Sequence, residues 1–570
     1  MGPQTVVGDY FHAMKYRSEG EDFREANNRV ASALKDSDQH YHQLREITGD
    51  MRFMFAGRIQ SAMGAARSTT PYNCFVSGTI EDSFVEGDGS IMQRATEAAA
   101  TMRMGGGIGY DFSTLRPQGA LIRKLQSQSS GPVSFMKIFD SVCKCVASSG
   151  HRRGAQMGVL RVDHPDIEAF IHAKQNTTEL TGFNISIAVT DEFMECMLTG
   201  RPFQLRFQGQ VYKEIDAQAL WEAIMRSTWD WAEPGVLFID QINRMNNLWY
   251  CETIAATNPC AEQPLPPFGA CLLGSFNLAK YVTPQARSEW SFDWAQLRAD
   301  IPAVVRAMDN VVDRARYPLP QQEAEAKNKR RMGIGITGLA NAVEALGHSY
   351  GSPEASAWTS RVLETIAVES YRASAMLAEE KGAFPLYDAD RYLSGEFIKT
   401  LPDDVRDLIK RNGIRNSHLT SIAPTGTISL CADNVSSGIE PVFSHTTQRP
   451  VNTPDGTQLI EVEDYGVAQF GVKGRQAHEV SASEHIAMLV TAQKYVDSAV
   501  SKTCNLDSTV PWGDFKSLYT QAWEGGAKGC TTFNIDGKRM ALLTGKKEPE
   551  VKEEPIACYI DPATGQKECA

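Results

Sequence analysis

Short apolar runs alternate with longer segments of helical period through most of this chain, and that alternation limits what it can fold into. VLFID (236–240), NISIAV (184–189) and FQLRF (203–207) are rich in β-branched or aromatic residues and short enough for strands. AWTSRVLETIAVESYRASAMLAEEKG (357–382) carries apolar residues at helical spacing. The mixture predicts an α/β body over residues 66–540, and the length of 570 residues suits a barrel. Residues 1–65 read as a helical region, with Phe23, Ala26, Val30, Ala33 and Leu34 in helical register. From Gly545 the composition turns to Lys, Glu and Pro, so residues 541–570 are expected to form a mobile tail, which holds Cys558 and Cys569. There are no internal repeats.

The net charge of -12, with no basic cluster beyond KNKRR, disfavours duplex nucleic acid and membrane surfaces as partners. No run approaches a membrane span. The N-terminus lacks the apolar core of a secretory signal, and Val6 stands where a myristoylation site needs Ser or Thr. The expected location is a reducing cytoplasm, where the 12 dispersed cysteines are redox-active or metal-binding if paired, rather than structural.

Several motifs fail on inspection. GGGIG (105–109) lacks the third glycine of a dinucleotide fingerprint, and there is no Walker A sequence. HEVSASEH has the wrong spacing for a zincin, with Ala482 where the second His belongs. Cys143 and Cys145 are too close for a usual zinc site and read as buried helix residues. No metal site is expected.

Four stretches hold more. NPCAEQPL sets Cys260 between Asn258 and Glu262, next to a proline that favours a loop or strand end. Taken alone, Cys260 reads as one more buried small hydrophobe or as a reactive thiol. PTGTIS (424–429) reads as a plain turn or, before a helix, as a nest of N–H groups for phosphate. RSTTPYNCFV holds Thr70 and Cys74, and RRGAQMGVLRVDHPDIEAFI begins with a basic, glycine-flanked loop at Arg152.

Together these blocks resemble the catalytic subunit of ribonucleotide reductase. NPCAEQPL, CLLGSFNL, APTGTIS and RRGAQMGVLRVDHPDI occur in the family's motif order, and the likeness runs from about Thr69 to Arg539. The Asn-Pro-Cys-x-Glu form looks closest to the adenosylcobalamin-dependent class. The resemblance implies a ten-stranded α/β barrel of two half-barrels, with a finger loop through its centre. It implies that Cys260 becomes a thiyl radical and abstracts the ribose 3′-hydrogen. Glu262 matches the base at the 3′-hydroxyl, and Asn258 the amide that holds the ribose hydroxyls. Cys74 and Cys271 match the pair that delivers two electrons and becomes a disulfide. Thr70 and Pro424, Thr425, Gly426, Thr427, Ile428 and Ser429 match the phosphate contacts, and Gly105, Gly106 and Gly107 a backbone run lining the pocket. Cys558 and Cys569 are candidates for re-reducing the internal disulfide and passing electrons from a thioredoxin-like reductant, though their spacing is wider than is common in the family.

Related enzymes draw their radical from a metal-bearing partner subunit, from adenosylcobalamin, or from a glycyl radical. No glycyl-radical motif stands near the C-terminus, and Asn534 and Ile535 are expected at the positions of the partner-dependent class's Tyr-Tyr relay. Adenosylcobalamin is therefore the expected cofactor, and the class I large subunit with its radical-generating partner is the alternative. A non-catalytic nucleotide-binding homologue fits poorly with all five catalytic matches present. Deoxynucleotide or ATP effectors are expected at Asp82, Ser83 and Arg123, with SQSSGPVSF and Arg152–Val159 as the two specificity loops. Effector binding at a dimer interface implies a homodimer. The N-terminal ATP-cone is expected to be absent, since about 70 residues precede Cys74.

Overall fold

The computed structural model describes residues 2–146, 155–175, 178–285, 289–453, 456–506, 509–534, 537–538, 558–560 and 567–569. Eleven strands position the site: β1 (Phe53–Phe55), β2 (Cys74–Val76), β3 (Gly107–Asp111), β4 (Gln156–Arg161), β5 (Phe183–Val189), β6 (Gly235–Phe238), β7 (Ala270–Cys271), β8 (Leu273–Asn277), β9 (Gly333–Thr337), β10 (Thr503–Leu506) and β11 (Gly529–Asn534). Strands β3 to β6 are buried almost throughout, as expected where helices cover a parallel sheet.

An eight-stranded sheet runs in the order β7-β2-β3-β4-β5-β6-β11-β10. Strands β2 to β6 are parallel neighbours. The sheet then reverses: β6 pairs antiparallel with β11, β11 parallel with β10, and at the other edge β2 antiparallel with β7. After Leu272 the chain of β7 continues as β8, which pairs parallel with β9 and antiparallel with β1. Isolated parallel bridges join Ile334 of β9 to Thr420 and Ile422 to Val500, a few residues before β10.

The long helix Pro353–Lys381 lies on Trp294–Arg314 outside these strands. NISIAV falls in β5 and Val236–Phe238 of VLFID in β6, while Ile239 and Asp240 open the helix Ile239–Arg244; FQLRF forms a separate two-stranded hairpin with Gln210–Asp216. In the N-terminal region, Asp22 and Glu25 make a reciprocal capping box that starts helix Phe23–Leu34 and buries Ala26, Val30 and Leu34. That region is not wholly helical, because the aromatic run Phe53–Phe55 leaves the helices and pairs with β8. Cys143 is buried on helix Pro132–Val146 as expected, but Cys145 is exposed. Among the described residues no helix is long and apolar enough to cross a membrane.

Candidate active site

Cys260 sits at the tip of a finger whose two sides, Ala256–Thr257 and Pro264–Leu265, pair antiparallel. The tip is closed by its own side chains and backbone. Asn258 Oδ1 accepts from the Gln263 N–H at 3.0 Å, and the Ala261 N–H donates to the Asn258 carbonyl at 3.0 Å. Ala261 takes the left-handed conformation, φ 66°, that turns the chain back toward Glu262. Both walls pin this turn. Asn184 of β5 donates to the Pro259 carbonyl at 3.1 Å, while Ser421 Oγ and the Ala499 N–H donate to the Glu262 carbonyl at 2.8 and 3.0 Å.

The finger lies so close to β3 that glycine is required there. A Cβ on Gly109 would stand 1.9 Å from the Thr257 carbonyl oxygen. A Cβ on Gly107 would stand 3.2 Å from both Cys74 Sγ and Pro259 Cγ, so the Cys74 thiol and the finger tip share one narrow gap. The rest of the glycine run is packed as tightly. Gly105, at φ +91°, abuts the Arg58 guanidinium and Gly106 abuts the Phe75 ring. Thr70 is buried beside this run, its N–H donating to the Met104 carbonyl at 3.3 Å.

Cys74 and Cys271 are direct partners across the antiparallel β2–β7 pair. Such partners have Cα atoms about 4.5–5.5 Å apart, inside the span a disulfide can bridge. Burial pushes the Cys271 thiol well up, and the nearby Glu262, Cys74 and Cys260 push it in the same direction. The three thiols and the carboxylate therefore form one electrostatically coupled group, with Cys260, Cys271, Glu262 and Asn258 all buried. Cys271 is held as a thiol, the form that can donate a proton or hydrogen.

On the β8–β9 side, Thr425 in left-handed conformation (φ 58°) precedes the short helix Gly426–Cys431. Its Oγ1 accepts from the Gly438 N–H at 2.7 Å and lies 3.0 Å from both Thr337 Oγ1 and Ser429 Oγ. This hydroxyl cluster fixes the loop and leaves the first N–H groups of the helix, from Gly426 onward, beyond reach of any intrahelical acceptor. Ile428 faces the other way, into a cluster with Tyr16, Met51 and Met54, so only its backbone can serve a ligand.

The residues expected at an effector site form a second group. Asp82 is held by Arg116, whose Nε donates at 2.7 Å, and Arg116 also donates to the Leu121 carbonyl of the hairpin Leu121–Ile122/Ser127–Gln128. Ser83 Oγ accepts from the Glu86 N–H, and Arg123 is exposed on the hairpin. The arginine on Asp82 is thus Arg116, which sequence reasoning passed over. It also passed over Gly109, Asn184, Ser421 and Gln263. The glycine run was the available signal for Gly109 and NPCAEQPL for Gln263; Arg116, Asn184 and Ser421 have no local motif. Arg152 to Gly154 lie outside the described residues, and Gln156–Val159 belong to β4. The backbones of Cys558 and Cys569 stand directly opposite each other in a two-stranded hairpin.

A cavity opens on Cys260 and Ala261, and its lining includes Asn184, Ser186, Glu233, Ser501, Lys502, Thr503 and Thr531. The positions of β11 that border Cys260's cavity include Thr531 and Thr532, ahead of Asn534 at the strand's end; Ile535 lies outside the described residues.

The family profile described as "Ribonucleotide reductase, barrel domain" matches residues 72–469 and 468–533. A vitamin B12-dependent ribonucleoside-diphosphate reductase of Mycobacterium tuberculosis is 36% identical over 504 residues, covering 83% of this chain and 68% of the relative. The enzyme of the same name from Thermoplasma acidophilum is 34% identical over 519 residues, covering 84% and 64%. A vitamin B12-dependent ribonucleotide reductase of Streptomyces avermitilis is 26% identical over 626 residues, covering 95% and 64%. The chain spans about two thirds of the length of these relatives. With the profile matched from β2 to β11 and the finger thiol, the carboxylate and the cross-strand dithiol brought together in one group, the chain belongs to the ribonucleotide reductase family.

Proposed function

We propose that this chain reduces ribonucleotides to 2′-deoxyribonucleotides by thiyl-radical chemistry and belongs to the adenosylcobalamin-dependent class. The observation that carries the reading is the convergence of Cys260, Glu262, Cys74 and Cys271 at the finger tip. Cys260 takes the hydrogen from C3′, and Glu262, as general base, takes the proton from the 3′-hydroxyl. The 2′-hydroxyl leaves as water once a thiol of the Cys74–Cys271 pair protonates it. The two thiols supply two electrons, one proton for the water and one hydrogen for C2′, and close a disulfide; Glu262 returns its proton to the 3′-oxygen and Cys260 its hydrogen to C3′. Asn258 orients the ribose hydroxyls with its Nδ2, a buried donor for which no acceptor stands within reach among the described residues. The Gly426–Cys431 helix start, with Thr425 and Thr427, receives the phosphates, and Thr70 and Gly105–Gly107 line the pocket.

The residues beside Cys260 fit the cofactor that the relatives' names imply. The polar residues Asn184, Ser186, Ser501, Thr503 and Thr531 suit a nucleoside at that face. When bound there, adenosylcobalamin supplies the hydrogen-abstracting chemistry that turns the Cys260 thiol into a thiyl. A partner-subunit relay through β11 would need an oxidisable ring facing Cys260, and Thr531 and Thr532 offer none.

The strand pairings support the finer architecture. Beginning at β2, five parallel strands lead to β6; β11, β10 with residues 499–501, residues 419–422, β9 and the β8–β7 chain make five more, ending beside β2. We read that circuit as a ten-stranded barrel of two halves around the finger. We keep residues 1–65, 66–540 and 541–570 as its N-terminal region, barrel and redox tail. The register of Cys558 opposite Cys569 supports their exchange role despite the wide spacing, and the Lys567–Cys569 backbone approaches helix Gly426–Cys431. The Asp82–Arg116 corner is proposed as the deoxynucleotide effector site. Phe84, Val85, Leu121 and Leu125 are exposed around it, which favours cover by a second copy of the chain.

The test is to incubate the chain with a ribonucleotide, dithiothreitol and an effector, with and without adenosylcobalamin. Deoxynucleotide in the cobalamin sample alone is expected. No product in either sample, with nucleotide binding intact, would overturn the proposal.

A further inference from the structure

The N-terminal segment and the Gly426–Cys431 helix are bound together more closely than two neighbouring surface elements need to be. Helix Val6–Tyr16 is started by Thr5, whose Oγ1 accepts from the Gly8 N–H at 3.0 Å. One carboxylate oxygen of Asp433, two residues past the Gly426–Cys431 helix, accepts from the Gln4 N–H at 2.7 Å, the Thr5 N–H at 2.9 Å and the Thr5 hydroxyl at 3.0 Å. Asp433 is 4% exposed and sits in the left-handed region at φ 61°, so it reaches this position at a backbone cost of about 1 kcal/mol or more. A Cβ on Gly8 would stand 3.1 Å from both Asp433 Oδ1 and the Cys431 carbonyl, so the two helices touch nearly backbone to backbone. Val7 packs on Leu430 on one side of the junction, and Tyr16 with Ile428 and Cys431 on the other.

The short helix therefore has one end set by the Thr337–Thr425–Ser429 hydroxyls and the other by Asp433 and the N-terminal segment. A helix of this length cannot hold its own axis in water. Its direction, and with it the aim of its first N–H groups, is imposed by what it packs on.

We infer that Thr5 and Asp433 are positioning residues for the substrate's phosphates: they clamp the N-terminal helix to the phosphate-loop helix and hold its N–H groups in aim. This rests on the phosphate-loop reading above. Neither residue touches substrate. Their removal should weaken recognition of phosphate and leave recognition of the nucleoside alone.

The experiment compares the full chain with Asp433→Ala, Thr5→Val, Thr5→Ser and the loop variant Thr427→Glu. Calorimetric titration is done with a ribonucleoside diphosphate and with the matching nucleoside, and each variant's melting temperature is recorded. Asp433→Ala and Thr5→Val should each raise the diphosphate Kd about tenfold. Nucleoside binding should not move, and Thr5→Ser should behave as wild type. Thr427→Glu sets a carboxylate where the phosphate is read to lie and should abolish diphosphate binding. If Thr427→Glu loses the diphosphate while Asp433→Ala and Thr5→Val bind it as wild type does, the clamp is wrong and the loop stands. If Thr427→Glu also binds normally, the loop reading fails and the clamp falls with it. A lowered melting temperature with unchanged Kd would make the contact purely structural and overturn the inference. If Asp433→Ala does not fold, Thr5→Val decides alone.

Discussion

Replacing Gly109 by alanine tests the placement of Cys260, the thiol proposed to carry the radical, at one atom's resolution. The added Cβ would meet the Thr257 carbonyl oxygen at 1.9 Å, whereas real Cβ contacts essentially never fall below 3.0 Å. The backbones must therefore part by more than an ångström. β3 is hydrogen-bonded to β2 on one side and β4 on the other, so the finger is the element that yields. Thr257 is three residues from Cys260, and the tip between them is tied into a single turn by Asn258 and Gln263. The shift passes to the thiol. A misplacement of about 1 Å in a reacting group costs on the order of 10²-fold in rate. Overpacking of this kind also costs about 1–3 kcal/mol of stability. Single-turnover formation of deoxynucleotide, normalised to folded protein, is the assay. The control is Gly347→Ala, at φ +84° with nothing within 4 Å, which strains the backbone by about 1–2 kcal/mol and should leave the rate unchanged. A Gly109→Ala chain that turns over at the wild-type rate would refute the finger's placement against β3.

Other outcomes follow from the same geometry. Without added reductant, the pre-reduced chain should form about two deoxynucleotides, one from Cys74–Cys271 and one from Cys558–Cys569. Cys271→Ser should abolish this burst and Cys569→Ser should halve it; an unchanged burst in Cys569→Ser removes the tail from the electron path. Arg116→Ala should weaken deoxynucleotide effector binding about tenfold by releasing Asp82, measured by equilibrium dialysis. Equal affinity would move the effector elsewhere. Acid should destabilise the fold: burial lowers the imidazoles of His40, His164, His418 and His485 and pushes His12 down to about 4. Neutral when folded and able to protonate near 6.5 when unfolded, they stabilise fully above that pH and progressively less as pH falls toward the folded values. His12 alone accounts for about 2 kcal/mol lost by pH 5. Burial raises the carboxyls of Asp111, Asp464 and Asp497, which act the other way and reduce the net fall. A urea midpoint as high at pH 5 as at pH 7.5 would contradict the balance.

What could be read from the sequence was whatever is local. NISIAV and the first three residues of VLFID are strands because a buried parallel strand needs an unbroken apolar run, and β5 and β6 are buried on both faces. Cys260, Glu262 and Asn258 lie within one tight turn, so their grouping needs no knowledge of the fold. The partners that fix that turn are another matter. Asn184 arrives from β5 and Ser421 from a segment more than 150 residues downstream, each by one hydrogen bond that leaves no pattern in its own neighbourhood. FQLRF has strand composition yet pairs only with its own hairpin partner, because composition sets the strand and the available edge sets the sheet. GGGIG was visible but its purpose was not, since a glycine needed for close approach can be understood only once the approaching chain is in place.

Gln263 carries the last of these distinctions to a measurement. It is fully buried next to Glu262, and neither amide atom has a hydrogen-bond partner among the described residues. Its Nε2 lies so close to Gly333 that a Cβ there would stand 2.4 Å away. A buried amide in that state costs about 1–3 kcal/mol relative to an apolar group of the same shape. Methionine has the length to fill the space and the flexibility to adapt. If the amide is kept for the substrate, Gln263→Met should raise stability by about 1–2 kcal/mol and lower turnover, the opposition expected where a site is held against the preference of the core. If the amide serves only the fold, through a bound water for instance, the same change should lower stability and leave turnover per folded molecule intact. Denaturant unfolding and single-turnover rates on one preparation separate the two, because stability moves in opposite directions and only one outcome lowers the turnover.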